Sequence, residues 1–150
     1  MSFTLSQRSL DNLVGVQPAL VAVVKRAIQI TKVDFGVIEG LRTQARQQEL
    51  VNSGASQTMS SRHLTGHAVD LMAYVGTRAS WELNLYDDIA DAMKAAAIEL
   101  NTPIRWGGAW TVYDIREWKG TMAAAMNAYI DERRKQGRRP FIDGPHFEMP

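Results

Sequence analysis

Apolar residues in the first part of the chain recur at intervals of three and four, which is typical of helices. Gly15 and Pro18 interrupt this pattern, so residues 6–31 are predicted to form two helices, the second beginning near Pro18. Apolar and polar residues then alternate over residues 35–40, which predicts a strand that ends at a glycine. A helix followed by a strand at this point indicates a mixed architecture.

The middle of the chain predicts a second helix–strand succession. Residues 43–52 are rich in good helix formers, with Thr43 as the N-cap and Gly54 just past the end. Small polar residues predict a loop over 55–62, and a β-type run predicts a strand over 68–74. We expect a turn at 76–80 and a long helix at 81–100.

The last third of the chain is predicted to add two short strands around one helix. The expected elements are a strand at 104–106, a helix at 120–136 that ends at Gly137, and a turn at 141–145 that leads into a terminal strand. This pattern predicts an α+β fold with helices packed on a small, mainly antiparallel sheet. The length of 150 residues suits one domain spanning residues 1–150.

The amino-acid composition limits the kinds of partner and metal ligand that we expect. Hydrophobic residues make up 45% and charged residues 22%, as in ordinary globular proteins, and the net charge of +1 gives no reason to expect nucleic-acid binding. The chain contains no cysteine, so any metal ligands are expected to be histidines and carboxylates. No secretory leader and no run of about 18 apolar residues is apparent, so we expect a soluble product without a signal peptide or membrane insertion.

The three histidines fall in two short segments that contain glycine. His63 and His67 lie within residues 61–70, and His146 follows the turn. Such clustering favours a metal site, since zinc needs imidazoles and a carboxylate brought together from separate elements. A regular helix pairing His63 with His67 is disfavoured, because Leu64 stands where the H-E-x-x-H motif has its glutamate and Gly66 weakens a helix.

Residues 61–70 fit the pattern S-x-H-x-x-G-x-A-x-D, and Asp143 and His146 supply an acidic residue followed three positions later by histidine. This combination resembles the zinc peptidases that include D-alanyl-D-alanine carboxypeptidases, D-Ala-D-Ala dipeptidases and phage L-alanyl-D-glutamate endopeptidases. Residues 39–43, 106–108 and 145–148 are also similar to that family, closest to its phage endolysin branch. One departure is Ala109, where that branch often has aspartate.

The resemblance implies a role for each matching residue. It implies zinc as the cofactor, bound by His63, Asp70 and His146, with Asp143 as the general base. It implies that Arg42 donates hydrogen bonds to the polarised carbonyl oxygen or to a substrate carboxylate. The simpler structural alternatives are a His63–Asp70 hydrogen bond, an ordinary turn at 143–145, and a surface ion pair of Arg42.

Three further residues are weaker candidates for substrate binding. Ser61 either positions the substrate or only forms a turn, and Trp106 either stacks on the substrate or anchors the core. His67 has no role in the resemblance and is expected to contact the substrate or support a ligand.

The segment 133–139 contains five arginines and lysines. Cations at the end of a helix interact favourably with its dipole, which is the simpler interpretation. The alternative is an electrostatic attachment to the anionic cell envelope.

The resemblance implies a zinc-dependent peptidase of the phage endolysin type that hydrolyses the L-alanyl-D-glutamate bond of the peptidoglycan stem peptide. We expect a monomer that stays in the host cytoplasm until lysis releases it to the periplasm and cell wall. The alternatives are a D,D-carboxypeptidase or dipeptidase with the same zinc chemistry, and a non-catalytic wall-binding module. The presence of Asp143 argues against the last of these.

Overall fold

A small antiparallel sheet forms the centre of the computed structural model, which describes residues 2–150. The strands lie in the order β1-β2-β5-β4, and β3 pairs with the far end of β2. Their bounds are β1 Asp34–Glu39, β2 Ala68–Val75, β3 Arg78–Ser80, β4 Arg105–Trp106 and β5 His146–Glu148. Strand β5, the last in sequence, therefore lies inside the sheet between β2 and β4.

The described part of the chain also contains five α-helices and two 3₁₀ turns. The helices are α1 Gln7–Asn12, α2 Pro18–Ile30, α3 Gln44–Asn52, α4 Leu83–Glu99 and α5 Met122–Lys135; the 3₁₀ turns are Arg62–Thr65 and Ile115–Glu117. This arrangement confirms the predicted α+β fold with helices on a small antiparallel sheet.

Local sequence explains where several helices begin. Pro18 occupies the first turn of α2, where its missing N–H is not needed. Ser6, Thr43 and Thr121 each precede a helix and accept a hydrogen bond from a backbone N–H in its first turn. The predicted starts at Pro18 and after Thr43 are therefore confirmed, whereas α4 begins at Leu83, two residues later than predicted.

The two faces of β2 have different surroundings. Val69, Leu71 and Ala73 belong to the core that α2 and α4 cover, and all three are fully buried. The alternate residues Ala68 and Asp70 belong to the opposite face. One face of the sheet thus anchors the fold and leaves the other available for polar side chains.

One predicted turn is instead a strand, and the connection between His63 and His67 is defined. Residues 78–80 form strand β3 rather than only a turn, because they pair with β2 as a short hairpin. Residues 62–65 form a 3₁₀ turn that ends at Gly66 with a φ of 73°, and β2 begins at Ala68. His63 and His67 therefore do not share a regular α-helix, which rules out the alternative zinc arrangement.

The basic segment 133–139 includes the last turn of α5 and the residues that follow it. The Arg133 guanidinium donates to the carbonyl of Arg139 at 2.9 Å, which folds residues 136–139 back on the last turn. This contact supports the simpler interpretation of these cations as a helix end. No helix among residues 2–150 is both long and apolar enough to cross a membrane.

Candidate metal centre

Strand pairing brings two of the predicted metal ligands together. Asp70 on β2 lies directly opposite His146 on β5, and Glu39 on β1 lies opposite Asp70 on its other side. Because side chains opposite one another in a sheet point to the same face, all three belong to one row across the sheet.

The 3₁₀ turn brings His63 to the same place. The Ser61 hydroxyl accepts the backbone N–H of His63 at 3.2 Å, and the Arg42 N–H donates to the His63 carbonyl at 2.9 Å. Gly66 ends the turn where an added Cβ would lie 2.4 Å from the Gly15 carbonyl oxygen. A larger residue at this position would displace the turn.

Hydrogen bonding fixes which nitrogen of His63 faces the cluster. Nδ1 lies 2.8 Å from the carbonyl oxygen of Gly40, and a carbonyl only accepts, so Nδ1 carries the proton. Nε2 then has a free lone pair, lies 3.3 Å from Asp70 Oδ1, and is buried without a hydrogen-bond partner. A buried imidazole nitrogen without a partner is destabilising unless a ligand binds it.

His146 presents its other nitrogen to the cluster. Nδ1 lies 3.3 Å from Asp70 Oδ1, and Nε2 lies 2.8 Å from Glu148 Oε1. A carboxylate that accepts the second ring N–H of a histidine is a recurrent support for metal ligands. Sequence analysis did not assign this role to Glu148, although the i, i+2 spacing from His146 within a strand places both on one face.

The ligand atoms of His63, Asp70 and His146 all lie within 4.8 Å of one another. Two nitrogens and one carboxylate oxygen are a donor set typical of catalytic zinc, which keeps a further position open. With the partnerless Nε2 of His63, these residues fit a metal ion. The structure brings together the three predicted ligands and leaves His67 outside the group.

Asp70 and His146 shift each other's pKa in opposite directions. Burial opposes ionisation of Asp70, but the hydrogen bond from the protonated imidazole of His146 helps to hold the pKa of Asp70 well below its usual range. Burial likewise opposes charging of His146, but Asp70 and Glu148 raise its pKa to about 10. Without a metal the site therefore retains a proton on His146, and a cation that binds there must displace that proton.

Asp143 belongs to the turn before β5. Its N–H donates to the Gly107 carbonyl at 2.8 Å, and its own carbonyl accepts the N–H of His146 at 3.0 Å. An added Cβ on Gly107 would lie 2.3 Å from the carbonyl oxygen of Asp143, so the turn needs glycine there. Burial, and next the charge of Asp70, raise the pKa of Asp143, which suits a group that takes up a proton.

Arg42 is held rigidly beside the cluster. It binds Glu39 through two N–H···O contacts of 2.7 and 2.8 Å, donates to Gln47 Oε1 at 2.7 Å, and lies 3.6 Å from Asp70 Oδ2. Its side chain is only 7% exposed, so it is not a surface ion pair. Sequence analysis did not predict that Glu39 and Gln47 would fix this guanidinium.

The weaker candidates differ in position. Ser61 lines the cleft and also caps the His63 turn. His67 lies outside the lining, where its ring contacts the Thr65 hydroxyl at 2.6 Å. Trp106 is fully buried, stacks on Phe147 and donates to the Gly144 carbonyl at 2.7 Å. The substrate contact expected of Trp106 is therefore corrected to a place in the core beneath the site.

The cluster opens into a cleft of about 740 Å³. Its walls include Trp110, whose ring lies 5.5 Å from that of His146, as well as Arg105, Arg62 and Phe141. Arg105 was not predicted, although it precedes Trp106 in a strand. Alternation makes these neighbours face opposite sides of the sheet, so a core position for Trp106 places Arg105 on the cleft face.

The chain is similar to several known proteins over most of its length. A family model described as "Phage L-alanyl-D-glutamate peptidase" matches residues 1–149. An L-alanyl-D-glutamate peptidase of Escherichia phage T5 is 31% identical over 153 residues, covering 99% of each chain. One of Listeria phage A118 is 37% identical over 75 residues, half of this chain and 26% of the relative. The crystal structure of the Serratia marcescens L-Ala D-Glu endopeptidase ChiX matches with a TM-score of 0.74 and 39% identity, covering 99% of this chain and 91% of that one.

Proposed function

Since this chain belongs to the phage L-alanyl-D-glutamate peptidase family, we propose that it hydrolyses the L-alanyl-D-glutamate bond of bacterial peptidoglycan with one zinc ion bound by His63, Asp70 and His146. It acts as a phage endolysin, held in the host cytoplasm and released to the cell wall at lysis. The observation that carries the metal assignment is the buried, partnerless Nε2 of His63 within the group of three ligand atoms.

The ligand set explains why zinc suits this chemistry. The two neutral imidazole nitrogens and the carboxylate leave a position open to water and substrate. Zinc bound there supplies a Lewis acid that polarises an amide carbonyl and makes water nucleophilic near neutral pH.

Asp143 is the proton carrier in this proposal. Its carboxylate takes the proton of the attacking water and delivers it to the amine of the departing glutamyl residue. Burial within the cleft and the proximity of Asp70 raise its pKa, so a proton taken up is held more firmly than on an ordinary carboxylate. The tight turn against Gly107 keeps this group in place beside the ligands.

Arg42 stabilises the reacting carbonyl. Three of its N–H groups are committed to Glu39 and Gln47, which fix the plane of the guanidinium. Its remaining N–H groups donate to the carbonyl oxygen as negative charge develops there. We propose a monomer as the working unit, with residues 1–150 as one peptidase domain; the proposed ligands, base and arginine of one chain suffice for the site.

Mass spectrometry of purified peptidoglycan fragments tests the proposal. Digestion with the zinc-loaded protein is expected to give fragments with a new amino-terminal D-glutamate, and a chelator is expected to stop their formation. Release of free D-alanine would instead indicate a D,D-carboxypeptidase. Binding without any cleavage would indicate a wall-binding module.

A further inference from the structure

The cleft contains an ordered arginine that the mechanism does not use. Arg105 on β4 lies opposite Glu148 on β5, and both lie on the face that carries His146. It lines the cleft with the proposed catalytic residues. Its position, one strand over and two residues along from His146, places it beside the reacting centre without making it a ligand.

Arg105 is held before any substrate binds. Its Nε donates to the Trp110 carbonyl at 3.0 Å, and Nη2 donates to the same oxygen. Its guanidinium carbon lies 5.3 Å from the ring centre of Trp110 and 5.4 Å from that of Tyr113. Such stacking and hydrogen bonding reduce the entropy that a long side chain loses when it binds a ligand.

Arg105 forms no ion pair, although the carboxylate of Glu148 lies opposite it in the sheet and is influenced by its charge. No carboxylate of residues 2–150 lies within ion-pair distance of it, and Nη1 makes no hydrogen bond to a described residue. Arg42, by contrast, is committed to Glu39 and Gln47. Arg105 is therefore a preorganised cation with free donors that line the cleft.

The proposed substrate carries a matching anion. A glutamyl residue within a peptide uses one carboxyl group for the next bond and leaves the other free, so cleavage at its amine places a carboxylate beside the scissile bond. A planar guanidinium with unused N–H groups is well suited to bind it. Building on the proposed function, we infer that Arg105 binds this free carboxylate and makes the enzyme select an acidic residue on the leaving-amine side.

A matched pair of substrates tests the inference. The two peptides share the L-alanyl-D-glutamyl bond, but the free carboxylate is intact in one and converted to a carboxamide in the other. The wild-type enzyme is expected to cleave the acid with a kcat/KM about 10- to 100-fold higher, as expected for one charged hydrogen-bonded contact. Equal kcat/KM values for the two peptides would overturn the inference without touching the proposed function. Failure of the zinc-loaded wild type to cleave either peptide would overturn the proposed function itself.

Variants then assign the preference to a residue. Arg105→Gln is expected to lower kcat/KM for the acid much more than for the amide, so that the preference is lost, and Arg105→Lys should keep part of the preference. Arg62→Gln is the matched control, because Arg62 lines the same cleft but is exposed, and it should retain the preference. An equal loss on both peptides in Arg105→Gln would indicate a structural role and contradict the inference. Loss of the preference in Arg62→Gln, with the preference retained in Arg105→Gln, would also contradict the inference.

A binding measurement separates recognition from catalysis. Calorimetry with the Asp143→Asn protein, which is expected to turn the peptides over very slowly, should show tighter binding of the acid than of the amide. Adding Arg105→Gln to that protein should make the two affinities equal. An unchanged difference in affinity would overturn the assignment to Arg105.

Discussion

A single hydrogen bond determines which ring nitrogen of His63 faces the cluster. The Gly40 carbonyl holds the proton on Nδ1 at 2.8 Å and leaves the buried Nε2 with an unused lone pair. Glu148 performs the corresponding task for His146 at its Nε2, so the two rings present different nitrogens to Asp70. At the residue scale, backbone and carboxylate acceptors therefore determine how the proposed metal ligands are oriented.

Alanine substitutions should identify the ligands. His63→Ala, Asp70→Ala and His146→Ala are each expected to lose zinc, because a set of two ligands no longer holds the ion. His67→Ala should retain one zinc per chain, since its ring contacts Thr65 outside the cluster. Metal analysis after dialysis measures this, and a protein that needs His67 but not His146 would refute the assignment.

Asp143→Asn should separate proton transfer from metal binding. The amide has nearly the same shape but accepts no proton, so turnover is expected to fall by about 10²–10⁴-fold while fold and zinc content are retained. Glu148→Gln is the control, because its amide oxygen still accepts from His146 Nε2. Near wild-type turnover by Asp143→Asn at full zinc occupancy would exclude Asp143 as the base and direct attention to Glu148.

At the scale of elements, the sequence pattern predicted those helices and strands whose formation depends on nearby residues. The run of strand-forming residues over 68–74 located β2, and the N-cap Thr43 and the first-turn proline Pro18 located the starts of two helices. Strand β3 was missed because residues 78–80 are stabilised only by pairing with β2, which a local pattern does not record.

The candidate site likewise contains features that the sequence predicted and features that depend on tertiary contacts. The family resemblance implied that His63, Asp70 and His146 converge, and the structure places their ligand atoms together. The clamp of Arg42 by Glu39 was not predicted, since it depends on tertiary placement of two charged side chains. Trp106 could not be assigned to core or cleft until its strand partner Phe147 fixed which face it shares.

Helix α4 contains a carboxylate that opposes folding near neutral pH. Burial, followed by the charges of Asp88 and Asp91, raises the pKa of Asp87 to about 6, and its Oδ1 is buried without a hydrogen-bond partner. An unfolded aspartate has a pKa of about 3.9, so the folded state binds this proton more tightly. The resulting stabilisation is full below about pH 4 and is lost as the pH rises through about 6.

Asp87→Asn is therefore expected to stabilise the protein in a pH-dependent manner. The asparagine has no proton to lose, so the variant should exceed the wild type in Tm by more at pH 7.5 than at pH 4.5. Each kcal/mol corresponds to roughly 2–4 °C for a protein of this size. Thermal unfolding followed by circular dichroism at both pH values measures the effect, and a Tm difference that does not change with pH would contradict it.

At the scale of the whole molecule, the proposed zinc links distant parts of the chain. Its ligands come from the 3₁₀ turn, β2 and β5, and Asp70 and His146 are 76 positions apart. An ion that binds only the folded state stabilises that state against unfolding of all three elements together.

Removal of zinc should therefore lower stability as well as activity. At a free zinc concentration 1,000 times its Kd, binding contributes about 4 kcal/mol, so a chelator is expected to lower Tm markedly and added zinc to restore it. His63→Ala serves as the control, since its Tm should not respond to the chelator. Equal Tm values for the wild type with and without chelator would show that zinc does not bind this site.

The interior position of β5 has a consequence for protein synthesis. Translation proceeds from the amino terminus, so a growing chain that has reached α5 already contains His63 and Asp70 but neither Asp143 nor His146. The gap between β2 and β4 is filled only when residues 146–148 have been made and have inserted. Products that end before residue 143 are thus expected to be inert rather than weakly active, because they lack both the proposed base and one proposed ligand.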